Sequence, residues 1–149
     1  MYIDTHCHLT FPELYENQHA IIKRAHDANV TKIITIGTDI ESSEQSVIIA
    51  EEFPNVFAAV GIHPTDLAKV SDDWQAELIS LLDHPKVVAV GEIGLDYYWD
   101  TTTKEDQLRF LADQIEIAKS ADLPMILHNR RASPIQLRRS RWLQLLPCP

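Results

Sequence analysis

"VVAVGEIGLDYY", residues 87–98, is apolar for five residues and then meets a glutamate, Glu92, before the apolar text resumes. A short, β-branched run without polar alternation is what a parallel strand covered on both faces requires. A carboxylate near its end then needs a reason. Four other short runs share the pattern: "YID" at 2–4, "KIITIG" at 32–37, "VFAAVGI" at 56–62 and "PMILH" at 124–128. Longer amphipathic stretches lie between them. Ile21, Ile22, Ala25 and Ala28 form one stripe. Val47, Ala50 and Phe53 form a weaker one. Trp74, Leu78, Leu81 and Leu82 form a third. Leu108, Leu111, Ala112, Ile115 and Ala118 form the clearest. Thr102 and Glu105 fit a capping box at the start of this last helix, and Asp122-Leu123-Pro124 ends it. The order is βαβαβαβαβ, so the fold class is α/β: about five parallel strands and four helices with right-handed crossovers.

The polar residues fall at corresponding places. "IDTHCHL" at 3–9 puts Asp4, His6 and His8 on one strand face, with Cys7 opposite as a core residue. His63 follows the third strand in "GIHP", Glu92 ends the fourth and His128 ends the fifth. In a parallel barrel these tips converge on the face where chemistry is done. Imidazoles and a carboxylate gathered there suit a divalent-metal site. His6 and His8 are expected to share one ion, Glu92 to bridge two, and His128 to serve the second. His63 and Arg130 are candidates for hydrogen bonds or charge toward a phosphate, against readings as a turn residue and a solvated charge. Asp4 either orients an imidazole or is a polar residue at the barrel floor. Asp96 either lines the mouth or caps the following turn. His19, His26 and His84 read as surface residues.

Composition narrows the class further. The chain has 149 residues, 45% of them hydrophobic, with a net charge of −9 and two cysteines. One domain or part of one is expected, with no membrane span, no signal peptide and no disulfide scaffold, hence a cytoplasmic location. The acidic balance excludes a generic nucleic-acid coat. The charge is uneven: residues 1–129 carry all 22 acidic and 8 basic residues, whereas residues 130–149 carry five arginines and no acid.

"IDTHCHL", "AAVGIHP", "VGEIGLDYY" and "LPMILHNR", in this order and spacing, resemble the TatD family of metal-dependent deoxyribonucleases, in the amidohydrolase superfamily. The resemblance covers roughly residues 1–132. It implies a TIM (β/α)8 barrel, here partial and incomplete at the C-terminus. It implies hydrolysis of DNA phosphodiester bonds, as a 3′-to-5′ exonuclease, by two-metal activation of water. The ligands would be His6, His8, Glu92 and His128, the cations Mg, Mn or Zn, and DNA the substrate. The catalytic assignment rests on Glu92 and His63. The family pattern also needs a His after the sixth strand and an Asp after the eighth, and no His or Asp follows His128. Residues 133–149 are expected to be an atypical basic tail, a frameshift or premature-stop product, with a natural short form as the competing reading. Strands one and five would be open edges, so low stability and self-association are expected. The rival functions are hydrolysis of an amide or ester, disfavoured because Glu92 stands where a carbamylated lysine would bridge, and a non-catalytic half-barrel that binds a partner.

Overall fold

The computed structural model describes residues 1–132. The expectations for residues 133–149 lie outside the described residues. Five strands, β1 (Tyr2–Cys7), β2 (Val30–Ile36), β3 (Val56–Val60), β4 (Val87–Asp96) and β5 (Met125–Arg130), form one sheet in sequence order with every pair parallel. This is the first half of an α/β barrel. Helices α2 (Gln18–Asp27), α3 (Ile40–Glu52), α4 (Trp74–Leu82) and α5 (Lys104–Ser120) are the four expected crossovers. The structure adds a four-residue helix, α1 (Pro12–Tyr15), before α2, and a 3-10 turn at Leu67–Lys69. Pro12 at its first turn suits helix initiation, and its brevity leaves no periodicity in sequence.

Alternation along β3 shows how the layers are built. Val56, Ala58, Val60 and Ile62 face the helices and join Leu9, Ile22, Ile49, Trp74 and Leu78 in the larger core cluster. Ala59 faces the other way, toward the would-be barrel interior, with Ile36 and Ala89. A second cluster under α5 holds Val90, Ile93, Leu95, Leu111, Ile115 and Ala118. Cys7 packs on the larger cluster with its Sγ 3.5 Å from the Ile34 carbonyl, on the core side as expected.

Local chemistry sets the helix starts. Asp39 caps α3 through a capping box with Ser42, its side chain accepting from the Ser42 N–H at 2.8 Å. At α5 the expected box is displaced by one residue. Thr103 is the cap, accepting from the Asp106 N–H at 3.0 Å. Thr102 instead donates its hydroxyl to the Pro64 carbonyl at 2.6 Å, tying the start of α5 to the loop after β3. The α5 stripe also shifts. Leu108 is exposed, while Gln107 and Gln114 are buried.

Those two glutamines fix the strand tips. Gln114 accepts from the Ile62 N–H at 2.7 Å and donates to the Ile62 carbonyl at 3.1 Å. Gln107 treats Asp96 alike, accepting from its N–H and donating to its carbonyl, both at 2.8 Å. Each amide therefore pairs with a strand-end peptide as a neighbouring strand would, and satisfies groups that burial would otherwise leave unpaired. Gly94 serves the same region by having no side chain. Its φ is +147°, and a Cβ there would collide with the His128 carbonyl on β5.

Candidate metal centre

His6 near the end of β1 and His8 just beyond it point toward the tip of β4. His6 Nε2 lies 3.4 Å and His8 Nε2 3.8 Å from Glu92 Oε2. His128 approaches from the other side, its Nδ1 3.0 Å from Glu92 Oε1. The two carboxylate oxygens are thus divided between two sets of imidazoles. Glu92 is only 8% exposed, yet it has three imidazoles around it. His63 completes the cluster, its ring centroid 4.3 Å from that of His128. Among the described residues, His6–His8–Glu92 and His63–Glu92–His128 each place three donor atoms within 4.8 Å of one another. Nitrogen and carboxylate donors in threes are a suitable set for a divalent cation, so the residues present fit such a group.

The surroundings orient these rings. His8 Nδ1 lies 3.0 Å from the Ile36 carbonyl at the end of β2, and Phe11 stacks on its ring at 4.8 Å. His63 Nδ1 accepts the Thr65 N–H at 3.2 Å and lies 2.6 Å from Thr65 Oγ1. Burial, with the neighbouring His128, holds the His63 imidazole below its ordinary range despite nearby carboxylates, which favours the neutral ring. Asp96 caps the following turn, one of its two expected roles, and reaches His128 besides. Its Oδ1 accepts from the N–H groups of Tyr98 at 2.9 Å and Trp99 at 3.3 Å, and its Oδ2 lies 3.0 Å from His128 Nε2. Burial pushes its carboxyl upward, but these backbone donors and His128 prevail and hold it below the usual range.

Asp4 Oδ1 accepts the His6 main-chain N–H at 3.1 Å rather than orienting an imidazole. Arg130 ends β5 with its guanidinium over the Tyr98 ring, 3.9 Å from the centroid, and 5.7 Å from that of Trp99. His19 and His26 are exposed as expected. His84 is half-buried, 3.0 Å from Glu51. Sequence reasoning missed Thr65, Gln107 and the carbonyl of Ile36 as supports. The "GIHPT" and "GEIGLD" strings held the signal for Thr65 alone, two residues from its histidine.

A sequence profile of the family described as "TatD related DNase" matches residues 3–144. The chain belongs to the TatD family. The metal-dependent hydrolase YjjV of Escherichia coli is 43% identical over 132 residues, covering 87% of this chain and 51% of the relative. A crystal structure of YjjV superposes with a TM-score of 0.83 over 87% of this chain and 51% of that one. The metal-dependent hydrolase YabD of Bacillus subtilis is 37% identical, covering 89% of this chain and 52% of the relative. A Salmonella typhimurium protein named 3′-5′ ssDNA/RNA exonuclease TatD is 30% identical, covering 97% of this chain and 56% of the relative. The TatD-family chain described here therefore spans about half the length of the curated relatives it matches.

Proposed function

We propose that this chain supplies the first half of a metal-dependent nuclease centre that hydrolyses phosphodiester bonds of DNA, releasing nucleotides from the 3′ end. The observation that carries the reading is the division of the Glu92 oxygens, Oε2 toward His6 and His8 and Oε1 toward His128. His6, His8 and Glu92 would hold one divalent cation, and Glu92 with His128 a second. When bound, such cations make water a stronger nucleophile at neutral pH and offset charge on the phosphoryl oxygens.

The protein's own groups do the rest. His63 accepts the Thr65 N–H at Nδ1, so its proton sits on Nε2 and is available to a phosphoryl oxygen. Arg130 adds a fixed positive charge at the same rim, its plane held by Tyr98. The exposed Tyr98 and Trp99 rings beside it suit a nucleobase. Support for a nucleic-acid substrate comes from relatives named ssDNA/RNA exonucleases at 30–33% identity. Among the described residues no helix is long and apolar enough to cross a membrane, and two cysteines in 149 residues accord with a reducing, cytoplasmic site of action.

The test pairs calorimetric titration of Mn²⁺ into the chain with release of label from a 3′-labelled DNA strand. Mn²⁺ uptake and weak, cation-dependent label release are expected, both lost in Glu92→Ala. Absence of Mn²⁺ uptake, or label release that survives Glu92→Ala, overturns the reading.

A further inference from the structure

The contacts of Asp96 point beyond the ligand set. We infer that Asp96 is a positioning residue that fixes which nitrogen of His128 is free to bind a cation. The inference rests on the proposed metal centre and assigns a role to a residue outside it.

The geometry is closed on every side. Asp96 is 1% exposed at the end of β4. Gln107 holds its peptide on both the N–H and the carbonyl. Its Oδ1 is occupied by two backbone donors, the N–H groups of Tyr98 and Trp99. Only Oδ2 remains, and it faces His128 Nε2 at 3.0 Å. A carboxylate oxygen accepts and cannot donate, so Nε2 must carry a proton. The lone pair available for coordination then belongs to Nδ1, the atom that lies 3.0 Å from Glu92 Oε1. A cation seated beside Glu92 would displace any proton on Nδ1 and leave the one on Nε2 in place. Partners of this kind set the tautomer and raise the basicity of a metal-ligating histidine.

The same geometry makes Asp96→Asn a directed inversion. Two backbone N–H groups demand an acceptor at the Oδ1 position, so the amide oxygen must sit there. The amide NH2 is then turned toward His128. It offers a donor where Nε2 needs an acceptor, and it drives the ring proton to Nδ1, the wrong tautomer for coordination. The turn cap survives while the histidine is misprotonated.

The experiment uses the full chain labelled with 15N-histidine, titrated with Zn²⁺ above the imidazole titration range. A His128→Ala variant identifies the His128 signals. In the zinc-loaded chain, a directly bonded proton is expected on His128 Nε2 and none on Nδ1. Asp96→Asn is expected to weaken zinc binding about 10–100-fold with little change in Tm. In a His128→Ala background Asp96→Asn should change zinc affinity less than twofold. A purely structural role would leave the loss equally large there.

A bound-state proton on Nδ1, an undiminished zinc affinity in Asp96→Asn, or an equal loss in the His128→Ala background overturns the inference while leaving the metal centre standing. Failure of the unsubstituted chain to take up zinc overturns both. Should Asp96→Asn not fold, the spectrum of the unsubstituted chain decides the question by itself.

Discussion

Glu92 is the residue on which both halves of the cluster depend, because each of its oxygens serves a different set of imidazoles. Glu92→Gln keeps the shape and removes the charge. It is expected to lower zinc affinity by more than about 100-fold, since changes one shell further out already cost about 10–100-fold; calorimetric titration checks this. Cys7 makes a second prediction at this scale. Burial, and secondarily the nearby Asp4 carboxylate, push its thiol from 9.0 up to about 12. The unfolded chain ionises this thiol first, so its contribution to stability is complete below pH 9 and is lost as pH climbs from 9 toward 12. Urea melts at stepped pH should show that decline, and Cys7→Ala should flatten it. The residues proposed as ligands stand out in sequence because each lies at or just past the end of a short apolar run. Asp96 was legible only as a choice between two roles. Its bond to His128 depends on the register that sets Asp96 beside Arg130 and Gly94 beside His128, and that register is written in no local string.

Helix α5 shows what periodicity reads and what it overlooks. Leu111, Ile115 and Ala118 were visible as a stripe and are buried. Gln107 and Gln114 fall on the same face, but polar letters there read as solvent-facing until the strand ends they serve are known. Gln114→Leu should leave the Ile62 N–H and carbonyl without partners. A loss of about 3 kcal/mol is expected from chemical denaturation, at about 1–3 kcal/mol for each orphaned group. The cap of α5 was misplaced by one residue for a related reason. Thr102 and Thr103 are alike in sequence, and the Pro64 carbonyl and the Gln107 amide engage Thr102. On β4, Gly94→Ala adds a methyl where φ is +147° and the His128 carbonyl stands in the way. A loss of about 2 kcal/mol or more is expected, with a lower Tm by circular dichroism.

For the molecule as a whole, the strand order was legible in the alternation of apolar runs and amphipathic stretches, which leaves a parallel sheet with few alternatives. The sheet described here has β1 and β5 at its margins, each paired on one side among the described residues. Tyr2, Ile3 and Leu127 are exposed on them. Strand margins with apolar side chains recruit other strands, and lysine is an effective deterrent. Sedimentation velocity is expected to show concentration-dependent assembly of the chain, shifted toward monomer by Ile3→Lys with Leu127→Lys. The marginal place of β1 reaches into the chemistry as well. It brings His6 to Glu92, yet no residue of it is buried. Amide protons along such a strand trade with solvent deuterium early, through openings that leave β3 and β4 intact. On the proposed two-cation reading, the paired histidines of the N-terminus should therefore let go of an ion well before His128 does, and the centre should empty in two stages.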